Sequence, residues 1–92
     1  MNYRVELLPN AEDSIRKMDT PVRDRILRRI KWLSTNLDII KHQMLAGKFR
    51  GMYKNRIGDY RIIYTFDDKE LFVLVVRVGH RKEVYRGIDE LV

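Results

Sequence analysis

The sequence contains no cysteine. Disulfide bracing and every cysteine-based zinc site are excluded, and the absence suits a reducing compartment. Histidine is nearly as scarce: the two residues, His42 and His80, share no ligand-like spacing, so neither a metal site nor a cofactor is expected. Long apolar runs are missing as well, since the longest, Leu71 to Val76, is far short of the roughly 18 residues that span a bilayer. The start, Met-Asn-Tyr-Arg-Val-Glu, mixes charge into its apolar residues and cannot serve as the apolar core of a secretory signal. A cytoplasmic protein without membrane association is expected. Nucleophile motifs, Gly-rich phosphate loops and paired metal ligands are lacking too, which removes most hydrolase designs.

What is abundant is positive charge. Lys and Arg number 19 against 13 Asp and Glu, a net +6, which favours a polyanionic partner without choosing among nucleic acid, anionic membrane and acidic protein. At 92 residues the chain reads as a single domain, 1–92, with one modest core.

Periodicity divides the chain. Tyr3, Val5 and Leu7 alternate with Arg4 and Glu6 as in a half-buried strand, which Pro9 stops. From Asn10 to about Met18 the residues Ala11, Ile15 and Met18 form one helical stripe, with Glu12 and Asp13 in the first turn. Asp19-Thr20-Pro21 breaks and restarts the helix, with Thr20 expected as cap and Pro21 as first helical residue. Val22, Ile26, Ile30, Leu33 and Leu37, widened by Leu27, predict a second helix to about Asn36, with Arg23, Arg25, Arg28, Arg29 and Lys31 as its solvated side. Asp38 to Gly51 has no period and reads as a connector, with His42 a loop histidine. Three mainly antiparallel strands follow, so the expected fold is a small α+β domain: an N-terminal strand, a two-helix hairpin packed on one sheet face, then three strands.

The most informative stretch is Met52 to Phe66. Two alternating runs flank Gly58-Asp59, a two-residue turn of type II′ character, so Arg56 faces Arg61 and Lys54 faces Ile63. Lys54, Arg56 and Arg61 then share one face, while Tyr53, Asn55, Ile57, Tyr60, Ile62 and Tyr64 share the other. Like charges directly opposite destabilise a strand pair, which makes sense if an anion such as phosphate sits between them. The following strand is apolar on both faces. Pairing Phe66 with Leu71 puts Phe72, Leu74, Val76 and Val78 on the face of Arg61; alternation adds His80, unless a bulge at Gly79 brings Arg81 round instead. Fixed cations beside Tyr85, with no carboxylate on that face, suit metal-free cleavage of RNA in which the substrate's own 2′-hydroxyl attacks. They suit plain RNA binding equally well.

Gly-Asp-Tyr-Arg-Ile-Ile-Tyr at 58–64, Leu45-Ala46-Gly47, Tyr53-Lys54-Asn55-Arg56 and Val78-Gly79-His80-Arg81-Lys82-Glu83-Val84-Tyr85 resemble the RelE/ParE toxin superfamily, on its RelE side, over essentially the whole chain. The resemblance implies a toxin of a type II toxin–antitoxin pair. Such a toxin is an endoribonuclease that cuts mRNA in the ribosomal A site, leaving a 2′,3′-cyclic phosphate and a 5′-hydroxyl, and a RelB-like antitoxin neutralises it. By position, Lys54 matches a lysine of proton transfer, Arg61 an arginine that stabilises the transition state, Arg81 the proposed general acid and Tyr85 a tyrosine that stacks on the mRNA. Lys48, Arg50, Arg56 and Lys82 would add RNA contacts. The chain departs from the pattern in having Arg56 where a second lysine is common, and His80 beside Arg81. Arginine keeps its proton at neutral pH, so the base falls to Lys54 or to His80. Two alternatives come from other classes: a ParE-like, non-catalytic inhibitor of DNA gyrase, and an RNA-binding module without turnover.

Overall fold

The structure, a computed structural model, describes residues 2–49 and 51–86. Its elements run β1 (Arg4–Leu7), α1 (Pro9–Arg16), α2 (Thr20–Asn36), β2 (Gln43–Met44), a 3-10 turn (Gly47–Phe49), β3 (Tyr53–Ile57), β4 (Tyr60–Asp67) and β5 (Phe72–His80). The strands form one mixed sheet in the order β1-β5-β4-β3-β2. β1 pairs with β5 in parallel and the other neighbours are antiparallel. This is the expected α+β domain, with one strand more than the sequence suggested. β2 has only two residues, both exposed, so it leaves no alternation to read within the connector.

Pro9 ends β1 and opens α1, with Leu8 at the N-cap, because a missing N–H costs nothing in the first helical turn. At the second helix the cap is Asp19 rather than Thr20, and it makes no side-chain cap bond. Thr20 Oγ1 instead accepts a hydrogen bond from Arg23 Nη2 at 3.2 Å. Ile26, Ile30, Leu33 and Leu37 are buried as their spacing demands, whereas Leu27 is 44% exposed and does not widen the buried stripe.

Both helices cover one face of the sheet. The main core joins Ala11, Ile15, Ile26, Ile30, Leu33 and Leu37 to Ile57, Ile62, Tyr64, Val73, Val75 and Val78, with Tyr3 closing one end. The Tyr3 hydroxyl donates to Asp68 Oδ1 at 2.7 Å, and that bond, aided by burial, pushes its pKa up to about 12. A smaller cluster of Leu45, Ile63, Val76 and Val84 lies on the opposite face.

The β3–β4 hairpin has the expected register throughout, from Ile57 opposite Tyr60 to Tyr53 opposite Tyr64. Gly58 carries φ +55 and is the sole residue of the two-residue turn with positive φ, as a type II′ turn requires. Between β4 and β5 the reading needs correction. Phe66 pairs with Val73, not Leu71, because Asp67 still pairs with Phe72 and the reversal is made by 68–71. Asp67 Oδ1 accepts the N–H groups of Lys69 and Glu70 there, and Leu71 takes φ +54. Further on, Tyr64 faces Val75 while Ile63 faces Arg77, so Val76 is an extra residue in β5. This bulge, and not one at Gly79, reverses the alternation: Val78 opposes Ile62 and His80 opposes Tyr60, both on the helix-covered side.

His42 is no free loop histidine. Its Nε2 lies 2.8 Å from the Leu37 carbonyl and its Nδ1 2.6 Å from the Tyr64 hydroxyl. A carbonyl only accepts, so Nε2 carries a proton, and in the neutral ring the Tyr64 phenol donates to Nδ1. The imidazole also packs against Phe66, with ring centroids 4.4 Å apart. It thereby ties the connector to the end of α2 and to the core. Burial raises the Tyr64 pKa to about 12.

Candidate functional site

Three basic side chains of the hairpin come to one face by register. Arg56 of β3 lies directly opposite Arg61 of β4, and Lys54, two residues before Arg56 and opposite Ile63, repeats the same side. Gln43 of β2 pairs with Lys54 across the other edge of β3. Among the described residues, none of these three cations forms an ion pair. Arg61 is half-buried and held in place by its own turn: Nη1 donates to the carbonyls of Gly58 at 3.0 Å and Tyr60 at 2.9 Å. That leaves the rest of its guanidinium for a ligand, while Arg56 stands exposed beside it.

The segment after β5 brings in the next cation. Gly79 opposes Arg61, and Val84 crosses over it, 3.7 Å from the position a Cβ would take. The backbone N–H of Arg81 donates to the Asp59 carbonyl at 2.7 Å, and its Nε lies 3.9 Å from Asp59 Oδ1. The exposed Arg81 is therefore fastened to the same Gly58-Asp59 turn that holds Arg61, with exposed Lys82 following it. Tyr85 is half-buried on the small cluster, its ring centroid 6.3 Å from that of Phe49. The structure thus gathers Lys54, Arg56, Arg61, Arg81 and Tyr85 around one end and one face of the sheet. Lys48 falls in the 3-10 turn with its side chain outside the described residues, and Arg50 lies outside them altogether.

His80 is the expected site residue that the structure removes from this face. Its ring meets Tyr60 edge-on at 5.8 Å and its Nδ1 accepts the Lys82 N–H at 3.2 Å. It lines a cavity of about 490 Å³ on the α1 side, with Asn10, Ser14, Lys17 and Arg77 among its neighbours. The cause is the single extra residue at Val76. In the same cavity, hydrogen bonding to Lys17 holds the Asp13 carboxyl below the usual carboxylate range, with the ion pair at 3.0 Å. Among the described residues, no group of three or more His, Asp or Glu is placed to hold a metal ion, and no helix is long and apolar enough to cross a membrane.

Sequence reasoning passed over a second basic surface. Arg25, Arg28, Arg29 and Trp32 of α2, together with Ile57, line a depression of about 570 Å³ on the other side of the hairpin. Arg29 Nη1 donates to Asn55 Oδ1 at 2.8 Å, joining the helix to β3. The spacing i, i+3, i+4, i+7 was the available signal, since it puts all four side chains on one flank of the helix.

Comparison with known proteins bears on the family and the fold. Residues 5–85 match the model of the ParE toxin of the type II toxin–antitoxin system parDE. Toxin RelG of Mycobacterium tuberculosis is 29% identical over 91 residues, covering 94% of this chain and 99% of RelG. A putative RelE-like toxin protein of Escherichia coli is 26% identical over 92 residues, covering 98% and 97%. Among solved structures, the M. tuberculosis toxin–antitoxin complex RelBE2 contains a chain that superposes with TM-score 0.80 at 24% identity, covering 90% of this chain and 95% of that one. A free mutant form of E. coli toxin RelE gives 0.77 at 22% identity, covering 100% and 99%.

Proposed function

Because the chain belongs to the RelE/ParE superfamily of type II toxins, we propose that it is a RelE-type endoribonuclease that cleaves mRNA in the ribosomal A site and so stops translation. The observation that carries this reading is the set of cations without an ion pair among the described residues, Lys54, Arg56 and Arg61, on one sheet face, with Arg81 fastened to the same turn and Tyr85 beside them. In the reaction the 2′-oxygen attacks the adjacent phosphorus and the bond to the 5′-oxygen breaks, giving a 2′,3′-cyclic phosphate and a 5′-hydroxyl. Lys54 receives the 2′-hydroxyl proton, because His80 faces α1 and leaves no imidazole on this side. Arg61 and Arg56 stabilise the charge that accumulates on the phosphoryl oxygens. Arg81 supplies the proton to the departing 5′-oxygen, and Tyr85 stacks on a base of the strand. Among the described residues nothing on this face would splay a nucleotide into in-line geometry, so the ribosome supplies the substrate's shape, and naked RNA should be cut slowly or not at all.

A RelB-like antitoxin is the expected protein partner, since chains similar to this one are solved in RelBE2, E. coli RelBE and Pyrococcus horikoshii RelE–RelB complexes. The place of action in this reading is the cytoplasm. The matching ParE model favours one second reading, a non-catalytic toxin that inhibits DNA gyrase. Mapping mRNA 5′ ends after induction decides between them. New ends within translated codons support the nuclease; intact mRNA with a block in DNA supercoiling supports the gyrase inhibitor.

A further inference from the structure

We propose that the flank of α2 carrying Arg25, Arg28, Arg29 and Trp32 is a second RNA contact, which holds the phosphates of a strand continuing past the cleavage site around the Gly58-Asp59 turn. The inference rests on the reading of the sheet face as an RNA site and extends it to a longer footprint. Arg25 and Arg28 are exposed and, among the described residues, their side chains have neither a hydrogen bond nor an ion pair. Arg29 is already positioned, by Asn55 on one side and by Trp32 on the other, where its guanidinium carbon sits 5.4 Å from the indole centroid.

Continuity between the two surfaces is the decisive feature. Arg25 Nη2 comes within 3.4 Å of the position a Cβ on Gly58 would occupy. From the other side, Arg61 donates to the Gly58 carbonyl and Arg81 to that of Asp59. One two-residue turn therefore separates the cations of the sheet face from those of the helix, a spacing that a single phosphodiester backbone can follow.

The surface chemistry selects RNA over an amphipathic protein segment. A helix docked in a groove needs a row of apolar anchor sites. Here the apolar lining is Trp32, 44% exposed, and the edge of Ile57, 7% exposed. Leu27, the other exposed large apolar side chain of α2, lies on the opposite flank by helical spacing. Guanidinium groups around one partly open indole form a phosphate-holding and base-stacking set.

Trp32 is the sole tryptophan, so its emission reports this surface directly. The experiment titrates the protein with a non-cleavable 2′-O-methyl RNA of about 12 nucleotides, and with one of about four that covers the sheet face alone. The longer RNA should quench Trp32. In the Arg25→Gln/Arg28→Gln double variant its affinity should fall about tenfold near 0.1 M salt, and the slope of log affinity against log salt should drop by about 1.4. The four-nucleotide RNA should bind variant and native protein alike, and cleavage on programmed ribosomes read with the native protein tests the sheet face separately. Unchanged emission at saturation with the longer RNA, or an unaltered salt slope in the variant, overturns the proposal even where cleavage is normal. A Trp32 response to the antitoxin but not to RNA overturns it too and assigns the flank to a protein. Quenching without any cleavage leaves this contact standing and removes the nuclease reading instead.

Discussion

Alternate residues of the same strands build both faces of the sheet, yet the faces do different work. The helix-covered face takes Ile57, Ile62, Tyr64, Val73, Val75 and Val78 into a core shared with both helices. The other face carries a small apolar cluster at Leu45, Ile63, Val76 and Val84 and, on the β3–β4 hairpin, Lys54, Arg56 and Arg61. Like charges can be held side by side because the core beneath them stabilises the strands that carry them. The Arg56–Arg61 pair is then a local cost in the free protein that a bound phosphate would remove. Stability and ligand binding are thus separable by face, and substitutions can test that separation.

The largest effect is expected at Arg61. Arg61→Ala should lower mRNA cleavage on programmed ribosomes about 100- to 1000-fold, the scale for loss of one charge-stabilising donor. Its denaturation midpoint should stay near native, because it removes one of two facing arginines; a large loss of stability would make Arg61 structural and dissolve the distinction between faces. Next come two adjacent isoleucines, both with 0% exposure, that point to opposite sides. Ile62→Ala should cost about 3–5 kcal/mol in urea denaturation, and Ile63→Ala, in the smaller cluster, nearer about 2. The reverse order would show that the cationic face holds the better core.

Smaller effects sharpen the picture within the core face. Tyr64→Phe should cost about 1–3 kcal/mol, since it strands His42 Nδ1 without its donor. Both Tyr3 and Tyr64 have pKa values pushed up to about 12 from an ordinary 10.0. A phenol that holds its proton more tightly when folded gives stability that is whole below about pH 10 and is lost as pH rises toward 12. Absorbance of tyrosinate at alkaline pH should show this late ionisation coinciding with unfolding, and Tyr3→Phe should remove its share. The smallest effect is expected at His80, because its ring packs on Tyr60 on the α1 side. His80→Ala should change cleavage less than about twofold, the scatter expected away from the reacting groups, while Lys54→Ala lowers it about 100-fold. A large loss with His80→Ala would return the base to the histidine.

Much of this was legible in the sequence. The Gly58-Asp59 turn and the alternation around it fix Arg56 opposite Arg61, because a two-residue hairpin leaves no freedom of register. The buried stripe of α2 follows equally from spacing. Three features were not legible, each for a physical reason. The bulge at Val76 has no glycine or other local mark, and arises from how β5 fits β4 as a whole. His42 takes its role from Tyr64, 22 residues away, which no local pattern encodes. The arginines of α2 look like an ordinary solvated helix side until the fold carries Arg25 to Gly58.

The extra residue at Val76 also determines where this strand tolerates a change in length. Tyr64–Val75 and Ile63–Arg77 are consecutive rungs, so removing Val76 would leave every other pairing of β4 with β5 intact. A deletion elsewhere in β5, with the bulge kept, would send the side chains on one side of it to the opposite face. Close relatives one residue shorter in this strand can therefore carry the same cations in the same places, provided that the gap in their alignment falls at position 76.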